Sequence, residues 1–233
     1  MAKRQAKKEV VVEVHEVRRE VLKITLVGTS PLIVHNFSAK ARGQMLAKQC
    51  KVTWPKEPKH PVRQFEAATY YITEDGMEIP SPADLSLVYE GKVKEFIALA
   101  DAHVDALRAL KKPRFGFPSV GFKASAIRGA KSLGLVMADM KGAMLIPPEF
   151  VEIKGKRRMR SDMVRISHST SDIRFRPEFW PWEATFDVIF NAAIVTPDII
   201  INMFKAAGFC CGVGEWRPGK GGSKGMFDLK NSA

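Results

Sequence analysis

The stretch 184–229 admits few readings. Ala184–Ile194 alternates, with Phe186, Val188 and Phe190 on one side and Thr185, Asp187 and Ile189 on the other. That period of two marks a half-buried strand. Thr196-Pro197-Asp198 then opens a helix, with Thr196 as N-cap and Pro197 at the first helical position. The helix spans Ile199–Ala207, and Gly208 is expected as its C-cap. Gly212–Gly225 is glycine-rich, and Met226–Leu229 reads as a closing strand. Strand, helix and strand in this order make up half of a split βαβ arrangement.

The first half can supply the other unit. Leu22–Val27 is its clearest strand, ended by Gly28 and Pro31, and Leu32–Phe37 follows. Ser38 caps a helix over Ala39–Cys50. Lys51–Pro61 is a proline-bearing loop, and Val62–Tyr71 reads as a helix. Leu85–Leu110 holds one or two helices, the core of a helical insertion at about 83–112. Ser119–Ser132 is a helix with Phe122, Ala126 and Ala130 on one face, and Leu135–Ile146 and Phe150–Ile153 read as short strands. Arg157–Arg176 is too poor in apolar residues for core and reads as a charged loop. The expected fold is α+β, with an RRM or ferredoxin-like (split βαβ) core. It forms one domain over 21–233, behind a basic N-terminal arm at 1–20.

Composition narrows the function classes. The chain has 233 residues, 45% of them hydrophobic, which is globular rather than disordered. No run approaches the roughly 18 apolar residues of a membrane span, and no apolar segment follows the basic start to make a secretory signal. The three cysteines, Cys50, Cys210 and Cys211, fit a reduced cytoplasmic setting. No CxxC, HxxxH or HExxH spacing occurs, so neither a metal nor a cofactor is expected.

The net charge of +12 permits a polyanion partner. Its location says more. Lys154, Lys156, Arg157, Arg158, Arg160, Arg165, Arg174 and Arg176 stand against Asp162 and Asp172, a net +6 within 154–176. Met159, Met163, Ile166 and Phe175 are interleaved. Arginine binds phosphate bidentately and stacks on bases. The alternative for such a run is a solvated surface with internal Arg–Asp pairs. Phe179, Trp180 and Trp182 follow, open to either base stacking or core packing. The glycine-rich end adds Trp216, Arg217, Lys220 and Lys224, so backbone donors, cations and an aromatic meet in one segment.

That end, with Gly212-Val213-Gly214, a basic stretch and Gly225-Met226-Phe227, resembles the C-terminal glycine-rich loop of the RAMP superfamily. These are the RRM-fold proteins of CRISPR effector complexes, including the backbone subunits that polymerise along guide RNA. Pro118–Ala130, with Arg128-Gly129, is similar to a helical segment of those subunits. The chain also resembles phage-encoded proteins carrying Gly-Val-Gly-Glu-Trp-Arg-Pro near the end. The resemblance implies an RRM-type fold and a nucleic-acid role. The expected function is therefore to coat or anneal single-stranded RNA or DNA without sequence preference, as a homo-oligomer in the cytoplasm and not at a membrane. One alternative is a metal-independent RAMP-like endoribonuclease, with His35 as the candidate catalytic residue beside Lys40 or Tyr70. Another is a protein-interaction module that mimics or blocks a host nucleoprotein complex.

Overall fold

The computed structural model describes residues 17–165 and 170–230. Most of the basic arm, with Val10, Val12 and Val14, and also Ile166 and His168, lie outside the described residues. The elements in chain order are β1 (Arg19–Gly28), β2 (Leu32–Ile33), α1 (Ala39–Gln49), α2 (Pro61–Ala67), α3 (Ser86–Tyr89), α4 (Val93–Arg108) and β3 (Gly116–Pro118). They continue with α5 (Ser119–Ser132), α6 (Met137–Ala143), β4 (Met144–Leu145), β5 (Phe150–Arg165), β6 (Ser171–Asn191), α7 (Pro197–Cys210) and β7 (Phe227–Leu229). The fold is mixed α+β, built on an antiparallel sheet.

The sheet runs β3-β5-β6-β1-β7, with β2 and β4 also pairing β6. β1 lies antiparallel to β6 from Arg19↔Asn191 to Val27↔Glu183, and antiparallel to β7 on its other side. Alternation aims Ile24 and Leu26 of β1, and Ala184, Phe186, Val188 and Phe190 of β6, into one core. Phe122, Ala126 and Ala130 of α5 and Ile200, Met203, Phe204 and Ala207 of α7 complete it. Each fully buried Phe or Leu there contributes about 1.5–3 kcal/mol by leaving water. Thr196 caps α7 as expected, its side chain accepting from the Ile199 amide.

Four sequence expectations change. Leu135–Ile146 is the short helix α6 followed by the two-residue β4. The helix expected over Val62–Tyr71 stops at Ala67, and Tyr71 forms a bridge with Phe115. Gly208 is not a C-cap but lies inside α7. Its missing side chain makes room for the Phe227 carbonyl of β7. Within the stretch expected as a loop, Arg157–Arg165 and Ser171–Arg176 are the distal arms of β5 and β6, paired from Arg157↔Phe179 to Arg165↔Ser171. Its period of two is carried by arginine against methionine, so low apolar content conceals the ladder.

Between β1 and α5 the helices build a second cluster, from Ala47 of α1, Val88 of α3 and Val93, Phe96 and Ile97 of α4. α1 therefore packs with the helices expected at 83–112. Among the described residues no helix is long and apolar enough to cross a membrane.

Candidate nucleic-acid interface

Beyond Gly155, β5 and β6 continue as a two-stranded hairpin whose two faces differ in chemistry. Residues directly opposite each other share a face. One face therefore carries Arg158 with Glu178, Arg160 with Arg176, and Asp162 with Arg174. The other carries Arg157 with Phe179, Met159 with Pro177, Ser161 with Phe175, and Met163 with Ile173.

The first face is a charged cluster assembled around two buried carboxylates. Arg158 donates from Nε to Glu178 at 2.7 Å, and Arg160 donates from Nη1 to the same carboxylate at 3.0 Å. Arg160 also donates from Nε to Asp162 at 2.8 Å. Burial alone would raise the Glu178 carboxyl, but the bonds from Arg158 and Arg160 hold it below its ordinary 4.5. A depressed carboxylate stabilises the fold fully above its unfolded value and loses that contribution as pH falls through its folded value. Thermal midpoints should thus fall on acidification below 4.5, and less steeply in Glu178→Gln. Equal slopes for the two proteins would remove Glu178 from the acid response.

Arg176 lies under this cluster. It is 3% exposed, its nearest carboxylate is Glu215 at 3.9 Å, and its Nε and Nη1 have no hydrogen-bond partner among the described residues. Burial pulls its pKa down, opposed by Glu215 and Asp162. Trp216 covers the same face, its ring centroid 5.6 Å from the Arg160 guanidinium, and Lys224 stands 3.9 Å from Glu178.

The glycine-rich loop that brings Trp216 there is ordered by backbone bonds. Val213 donates to Gly225 at 2.9 Å, Lys224 to Trp216 at 2.9 Å, and Glu215 to Ile33 of β2 at 2.8 Å. The Glu215 and Gly225 amides, donating to Ile33 and Pro31, tie the loop to β2 and the residue before it. Gly214 (φ 74°) and Gly225 (φ 65°) occupy the left-handed region that glycine tolerates. Trp216 sits at φ 55°, where a bulky residue is strained, and such strain gathers at functional sites. The amides of Gly214, Trp216 and Arg217 donate to no described residue. On its other side the loop closes a cleft of about 310 Å³ with the start of α5, lined by Arg128, Arg217, His35, Tyr70 and Cys211. Arg128 is absent from the sequence candidates. Its signal is an arginine on α5 with Ala124, Ser125, Lys131 and Ser132 at helical neighbour positions, and so no acid to pair with.

The fold brings Arg158, Arg160, Arg174, Arg176, Trp216 and Lys224 together. Lys154, Lys156, Arg165 and Lys220 are exposed and make no ion pair with a described residue. Arg217 donates to the Gly214 carbonyl at 2.7 Å. Arg157 stands apart on the core-side face. It donates to Glu66 at 2.7 Å and 3.3 Å and to Thr69 at 3.0 Å, with its guanidinium 4.5 Å over Phe65 and 4.4 Å over Phe115. That arginine is held inside the protein rather than offered to solvent. Of the three aromatics left open, Phe179 and Trp182 are core, with Trp182 donating to the Ser30 carbonyl at 2.8 Å, while Trp180 is 40% exposed.

The open face of the sheet itself is different. Lys23, Thr25 and Val27 of β1 face Asp187, Thr185 and Glu183 of β6, with no aromatic among them. His35 lines both the smaller cleft and a larger one of about 800 Å³ beneath the helices. Burial, with Arg176 and Arg174 nearby, lowers its pKa and favours the neutral imidazole. Tyr70 donates to the His35 carbonyl, and burial pushes its hydroxyl up to about 12. Among the described residues no group of three or more His, Cys, Asp or Glu side chains could hold a metal ion. No protein-family model and no curated protein matches the chain.

Proposed function

We propose that this protein binds single-stranded nucleic acid, RNA or DNA, without sequence preference and as an oligomer. The observation that carries the reading is the pairing of Arg160 with the exposed Trp216, flanked by Arg158, Arg174 and Lys224. Cations that track a backbone beside an aromatic that stacks bases are the two requirements for sequence-tolerant binding of a strand. The Gly214, Trp216 and Arg217 amides, which donate to no described residue, add donors for phosphate. The open face where Lys23, Thr25 and Val27 of β1 meet Asp187, Thr185 and Glu183 of β6 carries no aromatic, which favours a strand running along the hairpin and loop over one lying across that part of the sheet. We also read the frame as RRM/ferredoxin-like and RAMP-like. The antiparallel order β5-β6-β1-β7, with α5 following β1 and α7 following β6, supports that reading.

Labelled oligonucleotides titrated across a salt series test the proposal. Arg158→Ala with Lys224→Ala leaves Glu178 its bond from Arg160. This pair should lower the slope of log affinity against log salt by about 0.7 for each phosphate no longer neutralised. Trp216→Ala should weaken binding by about 1–3 kcal/mol if one base stacks there. An absence of any binding at about 50 mM salt, where electrostatic attraction is strongest, overturns the proposal. An unchanged slope removes this face from it.

A further inference from the structure

Residues of α1, α2, α4 and β6 line the cleft of about 800 Å³, a volume suited to one small organic molecule. Five carboxylates line it, and each already accepts from this chain. Lys40 pairs with Glu57 and with Asp101 at 3.0 Å, Lys59 pairs with Asp172, and Arg157 pairs with Glu66 at 2.7 Å. Glu78 accepts from the Asn36 amide at 2.7 Å.

The donors are not matched in the same way. The Trp54 indole Nε1 is shielded from solvent and has no hydrogen-bond partner among the described residues. A donor left so is costly unless something else supplies the acceptor. The Ala39 and Lys40 amides, in the same lining, donate to no described residue. Arg42 is exposed and makes no ion pair with a described residue. Arg174 comes only within 3.9 Å of Asp172, where Lys59 already sits. Arg176, buried and with Nε and Nη1 unpartnered, stands close enough to His35 on the cleft wall to disfavour the imidazolium. The surplus of donors and positive field calls for a ligand rich in acceptors and negatively charged. The walls also offer ring faces, from Trp54, Phe175 and Phe37, the last 49% exposed.

From this imbalance we infer that the cleft binds a free mononucleotide. The unpaired donors take its phosphate and the aromatic walls its base. The site is distinct from the pairing of Arg160 with Trp216, and it stands whether or not the protein binds a strand.

Calorimetric titration of the full chain with ribonucleoside monophosphates tests the inference. At least one should bind with a dissociation constant below about 1 mM. The same nucleoside without its phosphate, and inorganic phosphate alone, should each bind about tenfold or more weakly. Trp54→Phe removes the N–H and keeps a ring against Phe96. It should weaken nucleotide binding about tenfold, and Arg42→Ala should weaken it as well. Unchanged thermal midpoints would show that both variants are folded, and both should bind a labelled oligonucleotide as wild type does. A nucleotide within a bound strand has the same chemistry, so the titration is repeated with saturating oligonucleotide. Mononucleotide binding should persist, with at most a few-fold loss because Arg174 borders both sites. The inference is overturned if no monophosphate binds, if inorganic phosphate binds as tightly, or if both folded variants bind like wild type. Abolition by the oligonucleotide also overturns it, since the cleft would then belong to the strand.

Discussion

Arg157→Ala is expected to unfold at a much lower temperature than wild type. Its guanidinium is the partner of Glu66, a carboxylate whose side chain is 6% exposed. Removing the cation leaves that charge buried, with the Tyr71 hydroxyl still donating to it. Breaking one side of a buried pair costs about 3–5 kcal/mol, against a typical whole-domain stability of about 5–15. Arg157→Lys should recover little, because the site uses two donors in a plane and stacks on Phe65 and Phe115. Arg157→Met with Glu66→Gln should recover most of the loss, since it removes both charges and keeps an acceptor for Tyr71. Urea unfolding measures each variant. An unchanged midpoint in Arg157→Ala, together with weaker oligonucleotide binding, would return Arg157 to the surface and contradict the geometry.

Two glycines in helices should respond to alanine with opposite signs. Alanine is favoured over glycine in a helix interior by about 1 kcal/mol. Gly142 in α6 has nothing within 4 Å of the position a Cβ would take, so Gly142→Ala should stabilise by about 0.4–1 kcal/mol. Gly208 in α7 lies directly under the Phe227 carbonyl, and a Cβ there meets backbone that cannot turn aside. Overpacking costs about 1–3 kcal/mol. That outweighs the propensity gain, and displacing β7 from α7 opens the edge of the sheet. Gly208→Ala should lower the melting midpoint by about 2–4 °C for each kcal/mol of destabilisation. A rise in both variants would mean that β7 does not lie on α7.

The same physics explains what can be read along the chain. Helix α7 is legible because its start is chemically marked: Thr196 accepts from Ile199 and Pro197 follows at the first helical position. α5 is legible through Phe122, Ala126 and Ala130, whose spacing is their burial pattern. The end of α7 is not legible. A glycine after a helical run signals a cap, whereas Gly208 serves a strand nineteen residues later, at Phe227. α6 reads as strand, since seven residues from Met137 to Ala143 are too few for a period to show.

The candidate site divides along the same line. Composition and order alone place a basic run at 154–176 and a glycine-rich, tryptophan-bearing segment after α7, since charge and residue type are properties of the chain. They cannot say which arginine faces which way. Side chains in a strand alternate sides, so Arg157 and Arg158, adjacent in sequence, end up as a core ion pair with Glu66 and a 64% exposed cation on Glu178. That assignment depends on the ladder between β5 and β6 and on α2 packing over one face of it, bringing together residues up to ninety-one positions apart. Sequence determined the inventory of charge, glycine and aromatics. Tertiary structure alone decided which members of it meet, because burial and pairing are set by partners distant in the chain.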